Sequence, residues 1–423
     1  MSFKVFKNTV LLFVLILISC GSKSNTQEQV ENIETTAIEN KTISVGANQL
    51  SEYLPLLNGK RVGIVANQSS VIFKNDNTYT HIVDSLVSLN VNIKKVFSPE
   101  HGFRGTADAG ELIKDGKDPE TGISIISLYG DYKKPKLEQL NETKKYEKDI
   151  ESGVSAIDIM VFDLQDVGVR FFTYISTMHY IMEACAESNI PLIILDRPNP
   201  NGQYIDGPTL EKEHQSFLGM HTIPLVHGMT IGEYAQMING ENWLPDGLHA
   251  NITIIPCVNY THDKSYSLSI RPSPNLPNDL SVKLYPSLGL FEGTNINAGR
   301  GTEFQFQRYG APFLNPEIMT FTYTPQANFG AKYPKHKGEL SYGEDLSNET
   351  PNNEMTLKWI IKAYENSTDK SLFFLTKGFT KHAGTTKLQQ QIEAGMTETE
   401  IKATWQEDLE GFKKVRAKYL IYD

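Results

Sequence analysis

The chain has 423 residues, with 40 Lys+Arg against 50 Asp+Glu and a formal net charge of −10. A surface of that sign disfavours nucleic acid or an anionic membrane face as the principal partner. The length exceeds what one hydrophobic core usually organises and predicts two domains.

The chain opens with Lys4 and Lys7, then an apolar run over residues 10–18 that is too short to span a bilayer as a helix. The run ends Leu17-Ile18-Ser19-Cys20-Gly21, which resembles the lipobox of bacterial lipoproteins. That resemblance implies a signal peptide over residues 1–19, cleaved before Cys20, and acylation of the Cys20 thiol and new amino group. Stable anchoring takes more than one acyl chain. The expected location is the cell envelope, membrane-anchored and facing the periplasm. Residues 20–45 are polar and read as a flexible tether. Besides Cys20 only Cys185 and Cys257 occur. One lies in a helical pattern and the other after a strand-like run, so buried thiols are expected rather than a disulfide.

From residue 46 to about 250 strand and helix patterns alternate. Short apolar runs at 61–66, 91–97, 123–128, 156–162 and 191–195 read as buried strands. Helical spacing recurs at 80–89, 136–149 and 173–187. This predicts βαβ units in a doubly wound, mostly parallel sheet. No glycine-rich fingerprint follows the first strand, where Asn67-Gln-Ser-Ser-Val stands, so no dinucleotide cofactor is expected. Residues 251–423 predict a smaller α+β domain. It has a loop-rich stretch at 271–312, a helix at 355–365, and a last helix opening on the capping box Thr397-Glu-Thr-Glu400. Thr230-Ile-Gly-Glu233 is a second capping box, which makes Glu233 structural.

Three expected strands run into dense polar motifs: Ser98-Pro-Glu-His-Gly-Phe-Arg-Gly105, Asp163-Leu-Gln-Asp-Val-Gly-Val-Arg-Phe-Phe-Thr-Tyr174 and Asp196-Arg-Pro-Asn-Pro-Asn-Gly202. Ligands of open α/β sheets bind outside the carboxyl ends of the strands, so the three motifs should share one rim. The chemistry there is acid–base work with anion recognition. Glu100 is the favoured acid because glutamate caps helices poorly. Asp163 is a candidate second acid or support, and Asp166 and Asp196 are further candidates; a helix cap or a strand-end salt bridge is an equal reading for Asp163 and Asp196. Arg104, Arg170 and Arg197 could hold a carboxylate in bidentate geometry. His221 and His227 could meet, but no spacing suggests a metal, and no Gly-x-Ser-x-Gly elbow occurs.

These motifs resemble the exo-β-N-acetylmuramidases of the NamZ type. The match rests on the segments above with Gly63-Ile-Val-Ala-Asn-Gln68, Ile223-Pro-Leu-Val-His-Gly-Met-Thr230 and Pro272-Ser-Pro-Asn275. Phe291-Glu-Gly-Thr-Asn295 and Gly299-Arg-Gly-Thr-Glu303 extend it. The resemblance implies a Rossmann-like catalytic domain over 46–250, a C-terminal domain over 251–423 closing a cleft, and release of terminal N-acetylmuramic acid from peptidoglycan fragments. It places the catalytic glutamate on Glu100 with His101 beside it. Gln165, Tyr174, Asn199, His227, Glu292, Asn295 and Arg300 join Arg104, Asp166, Arg170 and Asp196 as expected substrate contacts. Arg104 ranks slightly ahead of Arg300 for the lactyl carboxylate. No cofactor or metal is expected. A glycan-binding lipoprotein without catalysis would need the aromatics and arginines but not Glu100.

Overall fold

The structure is a computed structural model that describes residues 42–74, 78–105, 111, 114–140 and 156–423. The expected signal peptide, Cys20, most of the tether and most of the 136–149 helical stretch lie outside the described residues.

Seven strands form the main sheet, in the order Gly116–Lys117, Ser124–Ser127, Asn92–Ser98, Arg61–Ala66, Ile159–Asp163, Leu192–Leu195, Ile252–Ile255. Every neighbouring pair is parallel except the short edge strand Gly116–Lys117. The chain starts at the centre, builds one edge, returns past Arg61–Ala66 and builds the other edge. That is a Rossmann-like order, which opens a crevice at the carboxyl ends where the direction of building reverses. Register brings the ends level there: Val65 pairs with Phe97, and Ala66 with Asp163.

The central strands are apolar on both faces because helices cover both. Tyr53, Leu57, Ile82, Val83 and Leu86 pack on Val62, Ile64 and Val96 on one side. Helices Tyr174–Glu187 and Ile231–Gly240 cover the other, placing Ile175, Met178, Met182 and Tyr234 among Val65, Phe97, Phe162 and Ile194. The same core continues into the smaller C-terminal domain through Phe291, Phe306, Tyr309, Trp359 and Phe379.

That domain carries a three-stranded antiparallel sheet, Arg308–Ala311, Ser341–Asp345, Phe321–Tyr323, and helices from Lys358 onward. The sequence reading missed this sheet. Its strands of four, five and three residues are too short for a clear period.

Two expected boundaries move. Strand Ile252–Ile255 pairs with Leu192–Leu195 and completes the main sheet, so a division at 250/251 cuts off an edge strand. The tether ends before residue 45, because Val45 is buried and Ser44 bridges to Val258. Both capping boxes form as expected. The last amphipathic pattern is broken into Glu398–Ala403 and Gln406–Arg416, yet Ile401, Trp405, Leu409 and Phe412 all stay buried. Cys185 and Cys257 are buried, unpaired thiols.

Candidate active site

Strand Asn92–Ser98 ends at a buried serine, and Pro99 turns the chain so that Glu100 enters a cleft of about 270 Å³. His101 and Gly102 follow in left-handed backbone, φ 72° and 80°. A histidine held there is strained unless its surroundings fix it, and such residues concentrate at functional sites. The loop is fixed beyond them by Phe103, buried edge-on against His81 at 4.9 Å, and by Arg104. Arg104 reaches Asp118 at 3.0 Å and Asp84 at 3.3 Å. It is the anchor of the Glu100 loop and not a cleft residue, which overturns its expected place as the lactyl contact.

Glu100 itself is held from two sides. Thr173 Oγ1 donates to its Oε2 at 2.9 Å. The Tyr129 hydroxyl hydrogen-bonds to it, and burial together with the Glu100 charge pushes that hydroxyl's pKa upward, so Tyr129 stays a donor. The floor is aromatic: Phe172 meets Tyr174 at 4.8 Å, Phe171 meets Tyr285 at 5.2 Å, and Tyr285 meets Phe306 at 4.8 Å. Edge-on rings of this kind offer apolar surface to the faces of a sugar, with polar groups at the margins fixing its orientation.

The opposite wall comes from the C-terminal domain. Arg300 lies over Phe306 at 5.3 Å and donates from Nε to Glu292 at 2.9 Å. Among the described residues that is the only hydrogen bond its guanidinium makes, which leaves both terminal nitrogens for a ligand. Burial alone would raise the Glu292 pKa, but Arg300 and Lys335 hold it down at about 2. Glu292 is therefore an ionised second carboxylate of the cleft. It and Arg300 also line an adjoining cavity of about 580 Å³.

Six expected site residues build the frame instead of lining the cleft. Asp163 spends both oxygens on Arg197, at 2.6 and 2.9 Å, with both side chains buried; it is not a catalytic acid of the cleft. Asp196 accepts from Thr230, Gly232, Arg197 N and the Tyr422 hydroxyl, tying helix Ile231–Gly240 and the C-terminus to the sheet. Among the described residues Arg170 pairs with no carboxylate. It donates to the carbonyls of Pro208, Ile223, His382 and Ala383 and joins the two domains. Gln165 bonds to the Asp166 and Pro198 carbonyls, and Asn199 to Met229 O. Asn199 also packs so closely on Gly168 (φ +75°) that a Cβ there would lie 2.3 Å from its amide. Asn295 braces the loop at Leu372 and Phe373 and does not line the cleft.

Asp166 and His227 form a buried pair behind the floor, 3.8 Å apart. Burial raises the Asp166 pKa to about 7 against the Gly168 and Val167 amides. Burial, with Arg416 and Arg170, lowers His227 to about 3. The signs oppose. The raised acid contributes stability below its unfolded value near ~3.9 and loses it as pH rises to about 7. The lowered histidine contributes above ~6.5 and loses it as pH falls to about 3. Relative to wild type, Asp166→Asn should therefore lose Tm as pH falls from ~7.5 to ~4.5, while His227→Gln should gain it. Parallel Tm–pH curves for the three proteins would refute the assignment.

Of the expected site residues the cleft thus gathers Glu100, His101, Tyr174, Glu292 and Arg300. Reading the sequence missed Tyr129, Phe171, Phe172, Thr173, Asn275, Tyr285, Phe306 and His382 as lining groups. The run Phe171-Phe-Thr-Tyr174 and the segment Pro272-Ser-Pro-Asn275 offered local signals for some of them.

A carboxyl on a strand-end loop, an ionised partner and an aromatic floor at the switch of a doubly wound sheet fit an α/β glycoside hydrolase. Comparison with known proteins agrees. Residues 62–280 match the N-terminal model, and residues 283–422 the C-terminal model, of the exo-β-N-acetylmuramidase NamZ. The peptidoglycan β-N-acetylmuramidase NamZ of Bacillus subtilis (strain 168) is 35% identical, over 98% of this chain and all of its own length. Two crystal structures of DUF1343 family proteins from Bacteroides fragilis NCTC 9343 each align over 90% of this chain and 99% of their own. One is 40% identical with TM-score 0.79, the other 26% identical with TM-score 0.71. The chain belongs to the exo-β-N-acetylmuramidase NamZ family.

Proposed function

We propose that this glycoside hydrolase releases β-linked N-acetylmuramic acid from the non-reducing ends of peptidoglycan fragments, serving cell-wall turnover and recycling. The observation that carries the reading is that Glu100 and Arg300 line one aromatic cleft. Glu100 delivers a proton to the glycosidic oxygen as the bond to the anomeric carbon breaks. Glu292, held as an anion, balances the positive charge that develops on the sugar. Muramic acid differs from glucosamine by a lactyl ether carrying a carboxylate, and a planar guanidinium with two spare terminal nitrogens pairs with that group bidentately.

Arg300→Ala should then lower kcat/KM on an aryl β-N-acetylmuraminide by about one to two decades and spare residual activity on the N-acetylglucosaminide. Equal losses on both substrates would remove the lactyl role.

The same reading places the enzyme in the cell envelope, held by lipid on Cys20 and facing the periplasm, with the polar residues that follow as a tether. Its support is the lipobox-like sequence before Gly21. No helix among the described residues is long and apolar enough to cross a membrane. Cys20→Ser should move the protein to the soluble fraction and abolish incorporation of labelled fatty acid; persistent membrane association would exclude a lipid anchor at this cysteine.

A further inference from the structure

His382 lines the same cleft, and its ring is held so that one nitrogen is left over. It sits in the last turn of helix Thr376–Ala383, where Nδ1 meets the Gly378 carbonyl at 2.9 Å. That contact decides the orientation of the ring, since the flipped form would set a carbon against the carbonyl. A carbonyl only accepts, so Nδ1 carries the proton and Nε2 keeps its lone pair. Among the described residues Nε2 bonds to nothing. It is not sealed in either: the histidine nitrogens that lack a partner and are closed off from solvent are His227 Nε2 and His262 Nδ1. With Nδ1 turned back on its own helix, the open Nε2 edge is the one left to face the cleft.

The helix that presents it is held on both sides. Arg170 donates to the carbonyls of His382 and Ala383, and a Cβ on Gly384 (φ +80°) would lie 2.5 Å from the same guanidinium. The His382 ring packs on Phe171 at 5.5 Å. The helix also meets the turn Gly289–Gly293, where a Cβ on Gly293 would lie 2.3 Å from Phe379 Cα. This close approach sets His382 among Glu292, Arg300 and Lys335 on the C-terminal wall of the cleft.

Single-displacement hydrolysis needs an acid for the leaving oxygen and a base for the attacking water, the two on different walls of the cleft. Glu100 is the acid. Glu292 is a poor base, because Arg300 and Lys335 hold its pKa down at about 2. His382 is lowered from its ordinary value mainly by burial, with the Gly378 carbonyl and Glu292 acting upward and Lys335 and Arg300 downward. It is therefore neutral at neutral pH and has a lone pair to offer.

We propose that His382 is the general base of an inverting hydrolysis. Its Nε2 takes a proton from a water whose oxygen bonds to the anomeric carbon. The bond from that carbon to the glycosidic oxygen breaks, and Glu100 protonates the departing oxygen. The products are the free sugar, formed first as the α anomer, and the released aglycone; Nε2 then gives its proton to solvent and Glu100 takes one back. This rests on the glycosidase reading above and adds to it the group that activates water and the stereochemical course.

The test follows a nitrophenyl β-N-acetylmuraminide on the full-length enzyme, on His382→Ala and on His382→Gln, each with and without sodium azide. Both variants should lose ~10²–10⁴-fold in kcat, because the glutamine carbonyl accepts a hydrogen bond but no proton. Azide attacks without giving up a proton, so it should speed His382→Ala by about tenfold or more, leave wild type unchanged, and yield the α-glycosyl azide. Each azide comparison is made within one protein sample, so it does not depend on how much of the variant folds. The first sugar released by wild type, read by proton NMR before mutarotation, should be the α anomer. Turnover by His382→Gln close to wild type, no azide rescue of His382→Ala, or a β product would overturn the proposal and leave the glycosidase reading intact. A wild-type enzyme that does not cleave the muraminide would overturn both.

Discussion

Glu100→Gln should reduce kcat by ~10²–10⁴-fold while leaving the fold, the melting temperature and sugar binding close to wild type. The expectation follows from how the side chain is held. Thr173 and Tyr129 both donate to Glu100, and the glutamine carbonyl can accept in the same place, so the substitution removes the transferable proton and little else. Glu100 is half-buried at the cleft, whereas Asp163 and Asp196 are wholly buried in the frame. Turnover of an aryl β-N-acetylmuraminide, with thermal unfolding in parallel, decides the point. A variant turning over within a few-fold of wild type would strip Glu100 of the acid role and leave Glu292 as the carboxylate to examine.

The parts of this molecule that were legible in the sequence are those that repeat a local pattern. Strands Arg61–Ala66, Asn92–Ser98, Ile159–Asp163 and Leu192–Leu195 are continuous apolar runs, and each was found to within about three residues. The polar motifs after three of them do converge at one rim. What the motifs do at that rim was not legible, because a strand-end aspartate reads the same whether it faces a ligand or a neighbouring side chain. Asp163 was undecidable without knowing that Arg197, 34 positions later, folds onto it. Arg170 looked like an anion clamp, but its partners are carbonyls from residues 208, 223, 382 and 383. The second wall of the cleft, from Asn275 to His382, lies in loops and short helical turns whose residues meet only in three dimensions. Ranking Arg104 above Arg300 failed for the same reason: nearness to Glu100 in sequence does not reveal that Asp84 and Asp118 already hold the guanidinium.

Asp163→Asn should unfold the protein more readily without impairing the chemistry of the molecules that remain folded. The Asp163–Arg197 pair is bidentate, and both side chains are almost wholly excluded from solvent at 0% and 2% exposure. Arg197 also donates to the Val71 carbonyl, so its guanidinium ties strand Ile159–Asp163 to the segment after strand Arg61–Ala66. Removing the carboxylate's charge leaves that guanidinium buried and uncompensated, which typically costs about 3–5 kcal/mol. For a chain of this size, at ~2.1 cal/mol/K of unfolding entropy per residue, the loss corresponds to a fall in Tm of about 5 °C. Restoring charge balance should recover part of it: the double variant Asp163→Leu/Arg197→Met removes both ions, and apolar replacements of buried pairs are often neutral or better. Because the pair lies outside the cleft, kcat/KM per folded molecule should change little in Asp163→Asn, with active protein counted by titration or by the native fraction in unfolding scans. A loss of turnover comparable to that of Glu100→Gln in fully folded protein would return Asp163 to the catalytic machinery. A loss of Tm alone assigns it to the frame that holds the strand ends level beneath Glu100.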